Sequence, residues 1–280
     1  RRLSQRNGIG MDQASFRLQF PAETVEIDGL AWSVIDSRPA QADAPALLML
    51  PGTLGTAEIF WNQIAALADQ VRILAVTYPV NDDAPRQVDG LAALCRTRGI
   101  ERISVVGSSL GGFLAQWLAA RHPALVETLF IGNSLSDPAI ATVTGHDLAA
   151  LRALPAEAHR GFILASVESW PETTPAVTRL KAVLRDSGNR LLSAEALKAR
   201  ILTLRGADAV PPLGLPANRV VVIDCADDPL IPQAVQDDVL ARYPGAEHHR
   251  LAFGGHYPYV VDPDTYTAIL ASYLLPGKGA

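Results

Sequence analysis

The sequence predicts an α/β protein with a mostly parallel β-sheet. Short, continuous apolar runs alternate along the chain with segments that carry apolar residues at helical spacing. A strand forms a continuous apolar run when both of its faces are covered, as in a parallel sheet between helices. Alternation of such strands with helices favours right-handed crossovers. The apolar runs are Leu47 to Leu50, Val71 to Thr77, Ile103 to Val106, Val126 to Ile131 and Val220 to Ile223.

The composition indicates an ordinary globular domain. The 280 residues are 49% apolar and 19% charged, and a chain of this length can bury one large core. The net charge is -5 with the two signs interspersed, so we expect no nucleic-acid partner. Residues 1–10 lack the apolar stretch of a secretory signal and no run approaches the length of a membrane span, so we expect neither. We expect a cytoplasmic protein with a small-molecule substrate; the sequence leaves its oligomeric state open.

The first predicted elements are the strands of a β-hairpin. Residues 24–27 and 31–35 flank the pair Asp28-Gly29, which supplies the positive φ angles of a tight turn. The segments after the first and third apolar runs carry apolar residues at helical spacing, which predicts a helix in each. The residues at that spacing are Phe60, Ile64 and Leu67, and then Leu110, Phe113 or Leu114, Trp117 and Leu118.

A long segment interrupts the alternation after Asn133-Ser134. Residues 136–216 contain helical stretches but no comparable strand, and a connection of this length usually carries function. We interpret it as a helical cap inserted into a core made of residues 12–135 and 217–276. The core pattern resumes with a strand at 219–224, a helix near 233–242, a strand near 249–253 and a helix that contains Tyr266, Ile269, Leu270 and Tyr273.

The segment Gly107-Ser108-Ser109-Leu110-Gly111 follows a predicted strand and opens a predicted helix, which is the context in which a G-x-S-x-G pattern has meaning. A serine on this sharp turn has a strained backbone, and the flanking glycines let neighbouring chain approach closely. We predict that Ser109 is a nucleophile. A simple helix N-cap is the alternative, which the position between strand and helix disfavours.

A serine hydroxyl needs a base within hydrogen-bond reach. Of the six histidines, His256 is best placed, because it follows the last predicted strand in a loop rich in Gly and Pro. His146, in the cap, is the other histidine that can face a pocket. The base in turn needs a carboxylate, and Asp227 and Asp228 follow the strand at 219–224. We prefer Asp228, which begins a rigid Asp-Pro turn, and keep Asp227 as the alternative.

Backbone N–H groups are expected to stabilise the negative charge of the reacting oxygen. Leu110 begins the helix after the nucleophile, where N–H groups lack intrahelical acceptors. The second donor is expected in the turn Pro51–Gly55 after the first parallel strand, with Thr53 as first choice and Leu54 next. Taken alone, that turn has a simpler explanation as an ordinary Gly-rich turn.

The expected substrate contacts are side chains beside these groups and one from the cap. No histidine–carboxylate spacing suggests a metal ion, and no dinucleotide fingerprint follows the first parallel strand, so we expect no cofactor. The substrate-binding residues predicted are Leu54, Ser108, Trp170 and Tyr257.

Several stretches resemble a known family. The most specific is Gly107 to Gln116, and the others are Leu50 to Gly52, Gly55 to Phe60, Tyr78 to Val80 and Asn133 to Asp137. They resemble the α/β-hydrolase superfamily and, within it, the maspardin-like branch. The resemblance implies an eight-stranded sheet covered by helices on both faces, an inserted cap, a pocket between them and a serine nucleophile. The chain order Ser, Asp, His is also the order of that superfamily.

The same resemblance leaves alternatives for the function. Animal members of the maspardin-like branch look like interaction proteins with an incomplete triad, whereas Asp228-Pro229 and Gly255-His256 occupy the matching positions here. We therefore expect an esterase that cleaves a small, apolar substrate through an acyl-enzyme. A lactonase, thioesterase or carbon–carbon hydrolase would use the same residues, and a non-catalytic binding protein is the alternative of another class. The serine disfavours haloalkane dehalogenase and epoxide hydrolase chemistry, because dehalogenases of similar architecture use a carboxylate nucleophile.

Overall fold

The computed structural model describes residues 13–39, 43–140 and 147–275. The strands in these ranges are β1 (Glu23–Ile27), β2 (Leu30–Asp36), β3 (Ala46–Leu50), β4 (Arg72–Thr77), β5 (Ile103–Ser108), β6 (Val126–Gly132), β7 (Val220–Cys225) and β8 (Glu247–Leu251). Within the described residues they form one eight-stranded sheet in the order β1-β2-β4-β3-β5-β6-β7-β8. Strands β3 to β8 are parallel, and at one edge β2 pairs antiparallel with both β4 and β1. The prediction of a mostly parallel eight-stranded sheet is confirmed.

The β1–β2 hairpin has the tight turn that its sequence predicts. Ile27 pairs with Leu30, and the two residues between them, Asp28 and Gly29, have φ angles of 49° and 73°. At the opposite edge, β8 begins two residues earlier than the strand expected near 249–253. β8 also ends two residues earlier than expected, at Leu251. It ends there because Gly254 and Gly255, with φ angles of 137° and 58°, turn the chain away from the sheet.

Helices cover both faces of the sheet. Neighbouring strand residues belong to different apolar cores: Val105 lies in the core under the helices at residues 84–97 and 110–121, and Val106 in the core under those at 61–67 and 263–274. Among the helices in the described ranges, none combines the length and the apolar character needed to cross a membrane. The core helices are α1 (Gln13–Gln19), α2 (Trp61–Leu67), α3 (Ala84–Thr97), α4 (Leu110–Arg121), α9 (Gln233–Arg242), α10 (Pro258–Val261) and α11 (Pro263–Leu274).

A group of helices lies between β6 and β7 in the chain, and we call residues 148–206 the helical segment. Its members are α5 (Leu148–Ala153), α6 (Ala156–Ser169), α7 (Pro175–Asp186), α8 (Ala194–Gly206) and a π-helical turn, Ser187–Leu191. Helix α6 packs against α7 and α8, and α7 packs against α10 of the core. His146, the cap histidine noted in the sequence, lies outside the described residues.

Candidate active site

Ser109 lies on the sharp turn between β5 and α4. Its φ and ψ angles are 55° and -120°, a conformation that non-glycine residues rarely adopt. Two hydrogen bonds hold it there: the Ser109 N–H donates to the Gly132 carbonyl at 2.9 Å, and the Ser134 hydroxyl donates to the Ser109 carbonyl at 2.6 Å. Hydrogen bonds to β6 and to the segment after it thus maintain the unfavourable backbone conformation of Ser109. The Ser109 side chain lines a cavity.

The glycines around this turn are required by close backbone contacts. A Cβ atom on Gly107 would lie 2.0 Å from the Gly111 carbonyl oxygen, and one on Gly111 would lie 1.9 Å from the Leu50 carbonyl oxygen. Neither atom can move away without shifting β3 or α4. Glycine at these positions therefore lets α4 sit directly against the ends of β3 and β5.

His256 and Asp228 form a buried pair at the carboxyl ends of the strands. The Nδ1 atom of His256 lies 2.9 Å and 3.1 Å from the two carboxylate oxygens of Asp228. The side chains are 4% and 0% exposed, respectively. Since Nδ1 faces the carboxylate, Nε2 lies on the opposite edge of the ring, and His256 lines the same cavity as Ser109. The fold thus gathers Ser109, His256 and Asp228 in one place.

Asp228 is held as an ionised carboxylate by donors on several sides. Besides the imidazole, it accepts hydrogen bonds from Asn133 Nδ2 at 2.8 Å and from the N–H groups of Leu230 at 2.8 Å and Ile231 at 3.1 Å. Burial alone would raise the pKa of this carboxyl group. The electrostatic attraction and hydrogen bond of the His256 ring, with the bonds from Asn133 and Leu230, outweigh burial, so the pKa of Asp228 lies below its ordinary value.

Asp227 has different partners from Asp228. Its carboxylate accepts the N–H groups of Gly254 at 3.3 Å and Gly255 at 2.8 Å. These glycines directly precede His256, so the hydrogen bonds to Asp227 stabilise the loop that carries the imidazole. Of the two adjacent carboxylates, Asp228 is the one in contact with the ring.

Asn133 is a site residue that the sequence reasoning did not single out. It follows β6 with φ 41°, donates to Asp228 at 2.8 Å, and donates to the Gly255 carbonyl at 3.1 Å. A single amide therefore joins the carboxylate to the histidine loop. The available signal was an Asn directly after a buried strand, because Asn tolerates a positive φ better than most side chains.

The turn Pro51–Gly55 after β3 faces the cavity beside Ser109. The Gly55 N–H donates to the Gly52 carbonyl at 3.0 Å, which closes a tight turn with Thr53 and Leu54 at its centre. Thr53 and Leu54 line the cavity. A Cβ atom on Gly52 would lie 3.3 Å from the Ser109 Cβ, so the turn approaches the serine closely. On the other side of Ser109, Leu110 is the first residue of α4, where N–H groups have no intrahelical acceptor.

The cavity has a volume of about 330 Å³ and a mostly apolar lining. Among the described residues that line it, His256 is the only one with an acidic or basic side chain of the Asp, Glu, His, Lys or Arg type. The Trp170 and Tyr257 rings pack against each other with centroids 6.1 Å apart. The lining residues are Thr53, Leu54, Ser109, Phe162, Ile163, Ser166, Val167, Trp170, Ile201, Leu230, His256 and Tyr257.

The predicted substrate contacts divide into two groups. Leu54, Trp170 and Tyr257 line the cavity, together with Ile201 and Leu230, which the sequence did not indicate. Ser108 is a correction, because it does not line the cavity. As the last residue of β5 it pairs with Gly132 of β6 and is 1% exposed, so neighbouring residues cover its side chain.

The other described histidines have partners outside the cavity. His159 bonds the Leu151 carbonyl, His122 pairs with Asp89, His248 pairs with Asp224, and His249 bonds Tyr273. In the described ranges, no group of three His, Cys, Asp or Glu side chains has the arrangement of a metal site.

A serine on a strand-to-helix turn, with a histidine and a buried carboxylate at the carboxyl edge of a parallel sheet, defines the class of α/β-hydrolase proteins. The model of the alpha/beta hydrolase family matches residues 47–269. The chain therefore belongs to the alpha/beta hydrolase family.

Curated relatives match most of the chain. Human maspardin is 29% identical over 259 residues, covering 90% of this chain and 82% of maspardin. The putative carbamate hydrolase RutD of Pantoea ananatis is 25% identical, covering 83% of this chain and 89% of RutD. The resemblance found in the sequence is confirmed at the level of the superfamily, and similarity to maspardin extends along most of the chain.

Solved structures share the fold. The enol-lactonase from Burkholderia xenovorans LB400 has a TM-score of 0.73 at 18% identity, covering 90% of this chain and 99% of the lactonase. The type II thioesterase BorB from the borrelidin biosynthetic cluster has a TM-score of 0.66 at 21% identity, covering 86% of this chain and 97% of BorB. At these identities the likeness concerns the fold alone.

Proposed function

We propose that the protein is a serine hydrolase that cleaves a carboxylic ester, or a related acyl bond, of a small and largely apolar substrate. The observation that carries this proposal is that Ser109 and His256 line one cavity while Asp228 holds the far side of the imidazole. A nucleophile, a base and a group that orients the base are the parts that acyl transfer requires.

In the proposed reaction, His256 Nε2 takes the hydroxyl proton as Ser109 Oγ attacks the substrate carbonyl carbon. The N–H groups of Thr53 and Leu110 stabilise the resulting oxyanion, with Leu54 N–H as the alternative to Thr53. His256 then protonates the leaving alcohol, which departs and leaves an acyl group on Ser109. A water molecule, deprotonated by His256, attacks the acyl carbonyl carbon to form a second tetrahedral intermediate. That intermediate collapses by breaking the bond to Ser109 Oγ, His256 returns the proton to Ser109 Oγ, and the acid is released.

We interpret the helical segment as a cap over this site, within an inserted region of residues 136–216 between core parts 12–135 and 217–276. Phe162, Ile163 and Trp170 come from this segment and supply apolar surface to the cavity. Burial of apolar surface stabilises binding by roughly 25 cal/mol per Å², so an uncharged, apolar acyl group suits this lining. A lactone, a thioester or a carbon–carbon bond beside a carbonyl would suit the same residues.

Substitution of Ser109 tests the proposal. Ser109→Ala is expected to lower kcat for p-nitrophenyl esters by about 10⁴-fold or more, because the attacking oxygen is lost. Ser108→Ala is the matched control, since Ser108 is the neighbouring serine and does not line the cavity. A fluorophosphonate probe should label wild type and Ser108→Ala, but not Ser109→Ala.

A non-catalytic binding role is the competing function, and the similarity to maspardin favours it. It predicts that wild type is not labelled by the fluorophosphonate and does not hydrolyse any member of an ester, thioester and lactone panel. That result would overturn the proposed hydrolase, as would full activity of Ser109→Ala.

A further inference from the structure

A buried arginine connects the helical segment to the turn beside Ser109. Arg200 belongs to α8, yet its side chain reaches the Pro51–Gly55 turn and is among the largest fully buried side chains of the protein. Its Nη1 donates to the Thr53 carbonyl at 2.9 Å and to the Gly55 carbonyl at 2.6 Å. These bonds join residues about 146 positions apart in the chain.

Tyr78, the first residue after β4, also contacts the Pro51–Gly55 turn. Its ring lies 5.1 Å below the Arg200 guanidinium, and its hydroxyl donates to the Pro51 carbonyl at 2.9 Å. Arg200 and Tyr78 together therefore hold the carbonyls of Pro51, Thr53 and Gly55. The Gly52 carbonyl is held from within the turn by the Gly55 N–H.

The hydrogen bonds at these carbonyls act on the N–H groups that face the cavity, because each carbonyl and the following N–H belong to one peptide unit. The Thr53 carbonyl shares a peptide unit with the Leu54 N–H, and the Gly52 carbonyl shares one with the Thr53 N–H. A hydrogen bond at a carbonyl draws electron density from the same peptide and makes its N–H a stronger donor. Both candidate oxyanion donors thus belong to peptide units whose carbonyls are anchored.

Among the residues that the structure describes, the charge of Arg200 has no carboxylate partner. In the described part of the chain no Asp or Glu oxygen lies within 4.0 Å of the guanidinium, and Nε and Nη2 make no hydrogen bond. Burial lowers the pKa of Arg200 to about 10, which leaves the group charged at neutral pH. An unpaired buried cation is costly, and it favours negative charge that develops nearby.

We propose that Arg200 is a positioning residue for the oxyanion donors: its guanidinium fixes the Thr53 carbonyl and so directs the Leu54 N–H, and it fixes Gly55, whose N–H holds the Gly52 carbonyl and so directs the Thr53 N–H. This inference rests on the proposed hydrolase function. It also gives the helical segment a second role, because α8 then contributes to the stabilisation of the transition state as well as to the choice of substrate.

The test is steady-state kinetics of Arg200→Gln with a p-nitrophenyl ester. Direct loss of one oxyanion donor lowers kcat by about 100- to 1,000-fold. Because Arg200 acts through the peptide, we expect a smaller loss, about 10- to 100-fold in kcat, with KM within about threefold of wild type. Affinity for a boronic acid, which forms a tetrahedral adduct on the serine, should fall by about the same factor as kcat.

Lys198 provides a matched control on the same helix. Its Nζ donates to the carbonyls of Arg152 and Leu154, both at 2.7 Å, so it ties α8 to α5 and not to the turn. Lys198→Met is expected to lower thermal stability while kcat stays within about twofold. Arg200→Lys keeps a buried cation but cannot reproduce the guanidinium geometry, so we expect a loss in kcat of about threefold or more that is smaller than the loss in Arg200→Gln. This measurable loss carries the test if the glutamine variant does not fold.

The outcomes separate this inference from the proposed function. An unlabelled and inactive wild type removes the proposed function and the inference with it. An active wild type together with wild-type kcat in Arg200→Gln, or in Arg200→Lys if only that variant folds, overturns the inference alone. A loss that appears only in KM also overturns it, because it would place Arg200 in ground-state binding.

Discussion

Adjacent carboxylates after β7 have different neighbours. Asp228 contacts the imidazole of His256 and is held by Asn133, while Asp227 holds the loop N–H groups of Gly254 and Gly255. The side chains diverge because the backbone turns sharply at the end of the strand, so one carboxylate faces the sheet edge and the other faces the loop. Their effects on turnover should therefore differ.

Asparagine substitutions distinguish the roles of Asp227 and Asp228 in turnover. Asp228→Asn keeps the shape but no longer enforces the required imidazole tautomer, and we expect kcat for a p-nitrophenyl ester to fall by about 10⁴-fold. Asp227→Asn weakens only acceptors of loop N–H groups, so its kcat should fall by no more than about tenfold. Equal losses in the two variants would contradict this division of roles.

At the scale of elements, the β5-turn-α4 unit depends on backbone contacts between β3 and α4. The helix begins against the end of β3, and the Leu50 carbonyl occupies the place where a side chain on Gly111 would start. The turn is therefore stabilised by the packing of two elements and not by its own residues alone. This makes its glycines more sensitive to substitution than glycines on exposed helices.

Gly111→Ala tests this dependence. A methyl group there would lie 1.9 Å from a backbone oxygen, so we expect a loss in the free energy of unfolding of about 3 kcal/mol or more, or failure to fold. Gly161→Ala is the control, because Gly161 lies in α6 and nothing is within 4 Å of its added Cβ. Alanine there should be neutral or stabilising by up to about 1 kcal/mol. Urea unfolding followed by circular dichroism would measure both; similar values would contradict the argument.

At the scale of the whole molecule, the cavity is built from both the sheet edge and the helical segment. The β3, β5 and β8 ends supply Thr53, Ser109 and His256, whereas α6 and the residue after it supply Val167 and Trp170. The Trp170 backbone is anchored separately, because Lys181 Nζ donates to its carbonyl at 2.9 Å. The indole can thus be removed without loss of that attachment.

Trp170→Ala is expected to change the acyl-chain-length profile more than it changes stability. Loss of the indole enlarges the apolar part of the cavity, so activity should shift towards longer acyl chains. Phe253→Ala is a suitable control, since Phe253 is 57% exposed and does not line the cavity. A panel of p-nitrophenyl esters of increasing length would measure the shift, and an unchanged profile would show that Trp170 does not contact the acyl group.

The sequence by itself determined the strands of the sheet, the β1–β2 hairpin and the turn that carries Ser109. These features depend on short-range causes: apolar runs for covered strands, positive φ angles at Asp28 and Gly29, and glycines where backbones approach. It did not identify the short helix α1. It also assigned Ser108 to the substrate, although Ser108 is 1% exposed and does not line the cavity.

Only the tertiary structure decided which distant residues meet. The contact of Asp228 with His256, the amide of Asn133 between Asp228 and the histidine loop, and the reach of Arg200 to the Pro51–Gly55 turn join segments far apart in the chain. Local patterns restrict backbone angles and the faces that become buried. They do not set the direction of a side chain at the end of a strand, because that direction depends on how the sheet and the helical segment pack together.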